Sequence, residues 1–308
     1  MIAFIFPGQG SQKVGMGRAL ADAYPDARAA FDEAEAALPG LGRVTFDGPE
    51  DELVLTQNAQ PAILTVSIAA QRVLAARGIE PAFVAGHSLG EYSANVAAGT
   101  MAFADAVRVV RRRGQYMQEA VPVGAGAMAA ILGLDAGTVA RACEEAAQGE
   151  IVSPANINGA GQVVIAGATA AVQRAGERAK ALGARRVIPL AVSAPFHCAL
   201  LEPAEARLEP DLRALRVHDP RVPVIANVDA EPKRDAASAI EALVRQVSAP
   251  VRWEQVVQRL ASEGVTNYVE VGPGAVLSGL VKKIHKDARV FNFASPDDLA
   301  AVEAGVRA

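Results

Sequence analysis

The amino-acid sequence predicts an α/β protein with a mostly parallel sheet and a small subdomain inserted into a larger domain. Strand-like runs alternate with long helical patterns along most of the 308 residues, which is typical of parallel strands joined by crossover helices. The middle of the chain follows a different order, strand–helix–strand–strand–helix–strand. A serine between two glycines joins one predicted strand to one predicted helix.

The large domain is predicted to comprise residues 1–123 and 194–308. Its strands are expected at residues 2–6, 82–85, 222–226, 267–271 and 289–293, and its helices at residues 62–77, 91–98 and 103–120. Pro61 is placed at the first helical position, because its missing N–H is unpaired there in any helix. Gly78 is expected to end that helix.

Residues 124–193 are predicted to form an inserted, ferredoxin-like subdomain. Hinge-like breaks lie at residues 122–126 and 193–195. Between them, strands are expected at residues 127–132, 151–155, 162–166 and 185–191, with helices at residues 136–147 and 170–182. This βαββαβ order is that of the split βαβ arrangement. A ligand is expected in the cleft between the two bodies.

The composition is that of an ordinary globular protein. Apolar residues make up 51% of the chain, charged residues 21%, and the net charge is −4, which gives no reason to expect nucleic acid or a membrane surface as partner. The apolar run at residues 2–6 is too short for a signal peptide or a membrane span. Cys143 and Cys198 are too few and too far apart for a zinc site or a disulfide framework. A reduced, cytoplasmic compartment is therefore expected.

Residues 86–90 read Gly-His-Ser-Leu-Gly, the G-x-S-x-G pattern of a nucleophile elbow. Its glycines let a strand turn sharply into a helix, which lifts the Ser88 hydroxyl out of the sheet. The backbone N–H of Leu89 then lies at the helix N-terminus, where it can stabilise an oxyanion. The spacing also arises by chance in glycine-rich chains, but the flanking strand and helix patterns supply the required context. The pattern predicts a covalent acyl-transfer catalyst on a hydrolase-like large domain.

A serine hydroxyl needs a base, and the chain offers four histidines. His87 adjoins the serine on the elbow, where neighbouring side chains diverge. His218 and His285 lie in polar and basic stretches and are interpreted as surface residues. His197 lies on the loop that returns to the large domain, so we predict that it is the base, with a purely structural loop histidine as the alternative. No acidic residue stands out as a third member, so a Ser–His dyad is expected, with a backbone carbonyl or an amide holding the imidazole.

The first predicted strand ends in the glycine-rich turn Pro-Gly-Gln-Gly-Ser-Gln at residues 7–12. Ligands bind at the carboxyl ends of strands in open α/β sheets. A phosphate-binding loop is the alternative interpretation, but the turn lacks the glycine spacing of either phosphate-binding motif. We therefore predict that the backbone N–H of Gln9 is the second oxyanion donor.

Five motifs appear in order along nearly the entire chain. They are Phe-Pro-Gly-Gln-Gly-Ser-Gln at 6–12, Gly-His-Ser-Leu-Gly-Glu-Tyr at 86–92, Arg-Gly-Gln-Tyr-Met-Gln at 113–118, Pro-Phe-His at 195–197 and Glu-Val-Gly-Pro-Gly at 270–274. Together they resemble the malonyl-CoA:acyl-carrier-protein transacylase family of bacterial fatty acid synthesis and its acyltransferase relatives in polyketide synthases.

The resemblance implies a set of site residues. Ser88 would be the nucleophile, His197 the general base, Gln9 and Leu89 the oxyanion donors, Arg113 the ligand of the free malonyl carboxylate, and Gln246 the residue whose carbonyl orients the histidine, with Asn156 and Asn158 near the acyl and pantetheine channel. Phe196 before the histidine would leave little room for a methyl branch, which favours malonyl over methylmalonyl units. Arg111 and Arg112 are interpreted as a solvated basic face, because three consecutive helical residues point in different directions.

The resemblance also implies ping-pong malonyl transfer from malonyl-CoA to acyl carrier protein, with no metal or other cofactor. A trans-acting acyltransferase of polyketide synthesis, a thioesterase or esterase on the same elbow, and a non-catalytic carrier-docking module are the alternatives. Because the carrier is acidic, a basic docking face is expected at Lys282, Lys283 and Lys286, although cations at a helix C-terminus also have a structural explanation. Arg185 and Arg186 are the alternative docking face.

Overall fold

The computed structural model describes residues 1–192 and 194–307, which form two sheets. The strands are β1 (Ile2–Phe6), β2 (Phe83–Gly86), β3 (Gly126–Leu132), β4 (Val152–Gly159), β5 (Gln162–Ala168), β6 (Arg186–Pro189), β7 (Val224–Ile225), β8 (Pro232–Lys233), β9 (Asn267–Val271) and β10 (Arg289–Phe293). The helices are α1 (Arg18–Ala23), α2 (Pro25–Ala37), α3 (Leu41–Asp47), α4 (Glu50–Leu53), α5 (Thr56–Ala76), α6 (Leu89–Ala98), α7 (Phe103–Glu119), α8 (Ala136–Ala147), α9 (Thr169–Ala181), α10 (Glu202–Arg213), α11 (Ala236–Arg245), α12 (Trp253–Ser262), α13 (Val276–Ile284) and α14 (Leu299–Arg307).

The larger sheet has the strand order β10-β9-β1-β2-β7-β8. The first five strands in this order, from β10 to β7, are parallel, whereas β8 runs antiparallel to β7. Along β1, Phe4 and Phe6 face a core built with α5 and α7, while Ala3 and Ile5 face a second core built with α12 and α13. The strand is apolar throughout because helices cover both faces of the sheet. Phe6 pairs with Gly86, so the turn after β1 lies beside the turn after β2.

The smaller sheet is antiparallel, with the order β4-β5-β3-β6. Apolar side chains of α8 and α9 pack with those of β3 and β5 in a separate core. This is the ferredoxin-like arrangement, so the predicted fold class is confirmed. The domain limits at 124 and 193 stay a prediction. Ser193 and Ala308, where two of the predicted segments end, lie outside the described residues.

Backbone hydrogen bonds also join the smaller sheet to the large domain. The N–H of Ile157 on β4 donates to the carbonyl of Val251 at 2.8 Å, and the N–H of Val251 donates to the carbonyl of Ala155 at 2.8 Å. Val251 lies just before α12. The smaller sheet is therefore fixed to the large domain by β4 as well as by the two chain crossings.

Helix α5 corrects the prediction that a helix begins at Pro61. The helix begins at Thr56 and Pro61 lies inside it. A proline cannot donate to the carbonyl four residues earlier, which here is that of Gln57. Arg111 Nη1 on α7 donates to this carbonyl at 3.1 Å and also to the Asn58 side chain. The prediction of Arg111 as a solvated residue was therefore wrong, because it completes the hydrogen bonding of α5.

The other predicted elements match the structure with small shifts at their ends. Strand β4 is longer than predicted and β6 is shorter. Helices α1 to α4, α10 to α12 and α14 and the two-residue strand β8 were not among the predicted elements. Within the described ranges, no helix has both the length and the apolar character needed to cross a membrane.

Candidate active site

Ser88 occupies a sharp turn between β2 and α6. Its φ of 52° and ψ of −107° are unusual for a residue with a side chain. A Cβ on Gly86 would overlap the backbone of Gly90, and a Cβ on Gly90 would overlap the carbonyl of Phe6. Glycine at both positions therefore lets β1, β2 and α6 meet closely. The turn presents the serine at the carboxyl edge of the parallel sheet.

His197 approaches the serine from the loop that returns to the large sheet. Its Nε2 lies 2.7 Å from Ser88 Oγ, and its Nδ1 lies 2.9 Å from the backbone carbonyl oxygen of Gln246. Because a carbonyl only accepts, Nδ1 carries the proton and Nε2 accepts from the serine hydroxyl. Burial, followed by the charge of Arg113, lowers the pKa of His197 to about 3. The imidazole is therefore neutral at physiological pH, as a general base must be.

Arg113 reaches the same site from α7 and is 1% exposed. Its Nη2 donates to Ser88 Oγ at 3.1 Å and to Gln246 Oε1 at 2.8 Å. Its Nη1 donates to Gln60 Oε1 at 2.7 Å, and the guanidinium carbon lies 5.2 Å from the ring centre of Tyr92. All of these partners are uncharged, so the buried cation would be stabilised by an anionic ligand beside the serine.

Close packing of α7 on α5 holds the arginine in place. A Cβ on Gly114 would lie 2.6 Å from the Cα of Gln57, so only glycine permits this approach. Gln60 Nε2 donates to Thr56 Oγ1 at 2.9 Å, and that hydroxyl donates to Gln9 Oε1 at 2.7 Å. A line of hydrogen bonds thus connects the arginine with the turn after β1.

A cavity of about 430 Å³ opens in front of the serine. Its polar lining includes Gln9, Gln60, His87, Ser88, Arg113, Asn156 and His197, and its apolar lining includes Leu89, Met117, Met128, Val192 and Phe196. A second cavity of about 250 Å³ shares Gln9, His87 and Asn156 with the first and adds Asn158 and Leu277 of α13. The two cavities are therefore adjacent, and together they are called the cleft between the large sheet and the β4–β5 hairpin.

The structure brings most of the predicted site residues together. Ser88, His197, Arg113 and Gln246 are in direct hydrogen-bond contact. Gln9, Leu89, Asn156 and Phe196 line the first cavity, and Asn158 lines the second. The oxyanion role of the Gln9 and Leu89 amides and the substrate roles of the two asparagines stay predictions.

The remaining histidines lie away from the serine hydroxyl. His87 Nε2 lies 2.9 Å from Asn158 Oδ1, and burial lowers the pKa of this histidine. His218 is exposed, as predicted. The prediction for His285 was wrong, because this residue is half-buried and its Nδ1 lies 3.1 Å from the Tyr268 hydroxyl on β9.

Sequence reasoning missed three polar residues of the site: Gln60, Glu91 and Asn227. Asn227 Oδ1 accepts from the backbone N–H of Ser88 at 2.8 Å, and its Nδ2 donates to the carbonyl of Gly86 at 2.7 Å. Its place directly after the strand predicted at residues 222–226 was an available signal, since polar residues at the carboxyl ends of parallel strands face the ligand edge. Gln60 and Glu91 lie within helices and gave no comparable signal.

A strained serine, a buried neutral histidine and a buried arginine at the edge of a parallel sheet define an α/β protein with a nucleophile-elbow site. The chain belongs to the acyltransferase family, since the family model described as acyl transferase domain matches residues 3–297. The malonyl CoA-acyl carrier protein transacylase of Escherichia coli K12 is 51% identical to it over 301 residues, which cover 97% of each chain.

Solved structures agree with this family membership. An acyl carrier protein S-malonyltransferase from Vibrio cholerae superposes with a TM-score of 0.96 at 48% identity, over 98% of this chain and 99% of that one. A malonyl-transacylase solved in complex with a type II polyketide acyl carrier protein superposes with a TM-score of 0.96 at 46% identity, over 99% of both chains. The likeness therefore extends over both sheets.

Proposed function

We propose that this protein moves the malonyl group of malonyl-CoA to the phosphopantetheine thiol of acyl carrier protein, through a malonyl-serine intermediate, in fatty acid biosynthesis. The contact between Arg113 Nη2 and Ser88 Oγ at 3.1 Å carries the proposal. A carboxylate-binding cation stands beside an acyl-accepting hydroxyl, which suits a substrate with a carboxylate and a thioester a few bonds apart. The similarity to proteins named malonyl transacylases supports the same substrate.

In the first half-reaction, Ser88 Oγ attacks the thioester carbonyl while His197 Nε2 takes the hydroxyl proton. The backbone N–H groups of Gln9 and Leu89 would stabilise the oxyanion. Collapse of the tetrahedral intermediate breaks the carbon–sulfur bond, and CoA leaves as the thiol with the proton from the histidine. The enzyme keeps the malonyl group as a serine ester.

In the second half-reaction, the carrier thiol gives its proton to His197 and its sulfur attacks the ester carbonyl. The carbon–oxygen bond to Ser88 breaks, and the serine oxygen regains the proton from the histidine. Each half-reaction returns the histidine to its neutral form. Atoms and charge balance in both steps without a further cofactor.

Arg113 would select malonyl over acetyl groups. A planar guanidinium binds a carboxylate through two parallel, charge-assisted hydrogen bonds. An acetyl group leaves this buried charge without an anionic partner, which costs binding energy. Phe196, on the wall of the same cavity, would restrict branching at the α-carbon, and Asn156 and Asn158 would line the pantetheine channel.

The mass of the intact protein after brief exposure to malonyl-CoA tests the proposal. The wild type should gain one malonyl group, and Ser88→Ala should gain none while it remains folded. A normal adduct on the alanine variant would contradict the nucleophile assignment. A thioesterase or esterase, the alternative on this elbow, would release free malonate in a single turnover with carrier protein present, whereas the transferase would yield malonyl-carrier.

The carrier would dock beside α13. Val276 and Leu277 of this helix line the second cavity, and its last turn carries the exposed Lys282 and Lys283, with Lys286 just beyond. A basic face at the mouth of the cleft suits an acidic partner. The malonyl-transacylase solved with a polyketide acyl carrier protein makes a polyketide carrier the alternative partner.

A cytoplasmic location belongs to the same proposal. Cys143 and Cys198 are both buried and free. Burial raises the pKa of their thiols to about 12 and about 11, respectively, and protonated thiols are chemically inert. Free cysteines are ordinary in a reducing compartment.

A further inference from the structure

Glu91 is a fully buried carboxyl group that the proposed mechanism does not use. It lies in the first turn of α6, three residues after the nucleophile, and is 1% exposed. Its Oε2 accepts from Gln246 Nε2 at 2.8 Å and from the backbone N–H of Asn227 at 3.0 Å. Burying a carboxyl group is costly, so its place beside the elbow needs a physical reason.

Both partners of Glu91 hold the nucleophile. Gln246 Nε2 also donates to the carbonyl of Ser88 at 2.8 Å. Asn227 Oδ1 accepts from the N–H of Ser88 at 2.8 Å. The strained backbone of the serine is thus held on both sides by groups that Glu91 itself binds.

The Glu91 carboxyl group is also linked to His197 through Gln246. The backbone carbonyl of Gln246 receives the Nδ1 proton of His197, while the side-chain amide of Gln246 is shared between Glu91 and Arg113. Because the arginine takes Oε1 and the glutamate takes Nε2, the amide can adopt only one orientation. Loss of either partner would free the side chain that anchors the carbonyl.

We infer that Glu91 is a positioning residue, which fixes Ser88 through Asn227 and fixes both Ser88 and His197 through Gln246. The inference rests on the proposed function only for the roles of the serine and the histidine. Glu91 acts on the reaction through its neighbours and has no direct contact with the reacting atoms.

The charge of Glu91 is expected to matter around neutral pH. Burial raises the pKa of this carboxyl to about 7, although its bonds to Gln246 and Asn227 lower it in part. The charges that face it are the Arg113 guanidinium on α7, which favours the ionised form, and Asp229 between β7 and β8, which opposes it. The adjacent Tyr92 hydroxyl, with a pKa raised to about 12, stays neutral. An ionised carboxylate accepts from two N–H groups more strongly than a neutral carboxyl does.

The sign of the pH effect follows from these contacts. Below pH 7 Glu91 takes up a proton and holds Gln246 and Asn227 less firmly, so the reactivity of Ser88 should fall as the pH decreases through 7. His197, with a pKa lowered to about 3, stays neutral over this range and cannot produce the fall. In a plot of Ser88 reactivity against pH, the decrease below pH 7 (the descending limb) should therefore require Glu91.

The experiment measures the rate at which a fluorophosphonate probe labels Ser88 from pH 5.5 to 9. The serine oxygen bonds to phosphorus, fluoride leaves and His197 takes the proton, so the readout does not depend on malonyl recognition. Glu91→Gln keeps an acceptor oxygen without the charge. It should react about threefold to tenfold more slowly than the wild type at pH 8, with no limb near pH 7. Glu91→Ala should be slower still, by about tenfold to a hundredfold, because the supporting contacts are gone.

Glu270 provides the control for loss of a buried carboxyl group. Its side chain accepts from the N–H groups of Leu277 and Ser278 at the start of α13, and its strand β9 is separated by β1 from β2, the strand that leads to Ser88. Glu270→Gln should lower the melting temperature yet keep the pH profile of the wild type. The KM for malonyl-CoA should change by less than about twofold in Glu91→Gln, because a positioning residue acts on kcat.

Wild-type labelling rates in folded Glu91→Ala, or an unchanged limb in Glu91→Gln, would overturn the inference. If the alanine variant does not fold, the pH profile of the glutamine variant decides alone. If instead the proposed function is wrong, the wild type would form no malonyl adduct, but the order of the labelling rates among the wild type and the two Glu91 variants would be unchanged.

Discussion

Replacement of Arg113 by alanine tests the substrate assignment most directly. The guanidinium donates to Ser88 Oγ, Gln246 Oε1 and Gln60 Oε1, and these three contacts engage three of its five N–H groups. A malonyl carboxylate would accept hydrogen bonds from the remaining N–H groups. It would also replace the serine hydroxyl as an acceptor for Arg113 when that hydroxyl attacks the thioester. An acetyl group offers no such acceptor.

Removal of the Arg113 side chain has two effects, and only one of them changes the ratio of malonyl to acetyl transfer. Removal of the side chain frees the oxygens of Gln60 and Gln246 whichever substrate is bound, so this cost cancels in the ratio of malonyl to acetyl transfer. What remains is a bidentate contact made only by malonyl. Hydrogen bonds to charged groups contribute about 1.5–3 kcal/mol each, so a net loss of about 3 kcal/mol is expected, or roughly a hundredfold in the ratio.

The assay compares kcat/KM for malonyl-CoA and acetyl-CoA in the wild type and in Arg113→Ala. Arg112→Ala is the matched control, because Arg112 is the preceding residue of α7, is exposed and pairs with Asp211 at 2.7 Å. The control should keep the preference for malonyl. If Arg113→Ala lowers kcat/KM equally for malonyl-CoA and acetyl-CoA, the arginine supports Ser88 and Gln246 but does not bind the malonyl carboxylate.

Three further variants test neighbouring parts of the site. His197→Ala should slow both half-reactions by about a hundredfold or more, as followed by adduct formation and carrier discharge, and a larger loss in His87→Ala would contradict the choice of base. Gly114→Ala should destabilise the fold by about 1–3 kcal/mol through overpacking against α5, measured by urea unfolding, and an unchanged midpoint would show that the helices can separate. Reversal of Lys282 and Lys286 to glutamate should raise the KM for carrier protein and reduce its salt dependence, with acylation by malonyl-CoA as the control, and unaltered carrier kinetics at low salt would place the docking face elsewhere.

Local patterns were sufficient to predict most of the fold. The bounds of β1, β9, β10 and α8 agree with those expected from apolar runs and flanking turn residues. The failure at Pro61 has a definite cause: the cost of a proline inside a helix is offset by Arg111, which is 50 positions away in sequence and adjacent only in the folded protein. Strand β8 was missed because two residues carry no periodicity.

Site residues that are specified by local sequence were predicted, whereas those that depend on contacts with distant segments were missed. Glycines around Ser88 reveal an elbow because the constraint is local, within five residues. Gln60 and Asn227 act by contact with residues from distant segments: Gln60 lies 53 positions from Arg113, and Asn227 lies 139 positions from Ser88. A hydrogen bond between residues so far apart leaves no periodic trace in one sequence. Only the resemblance to the family allowed the roles of Arg113 and Gln246 to be predicted from the sequence.

The segment from Gln246 to Val251 connects His197 with the cleft. Gln246 directly follows α11 as its C-terminal cap and supplies the carbonyl that orients His197. Five residues later, Val251 exchanges backbone hydrogen bonds with β4 of the smaller sheet. Asn156 and Asn158, on that same strand, line the cleft. One short segment of the large domain therefore fixes both the orientation of His197 and the position of the opposite wall of the cleft. A change in this segment is therefore expected to alter substrate fit and proton transfer together.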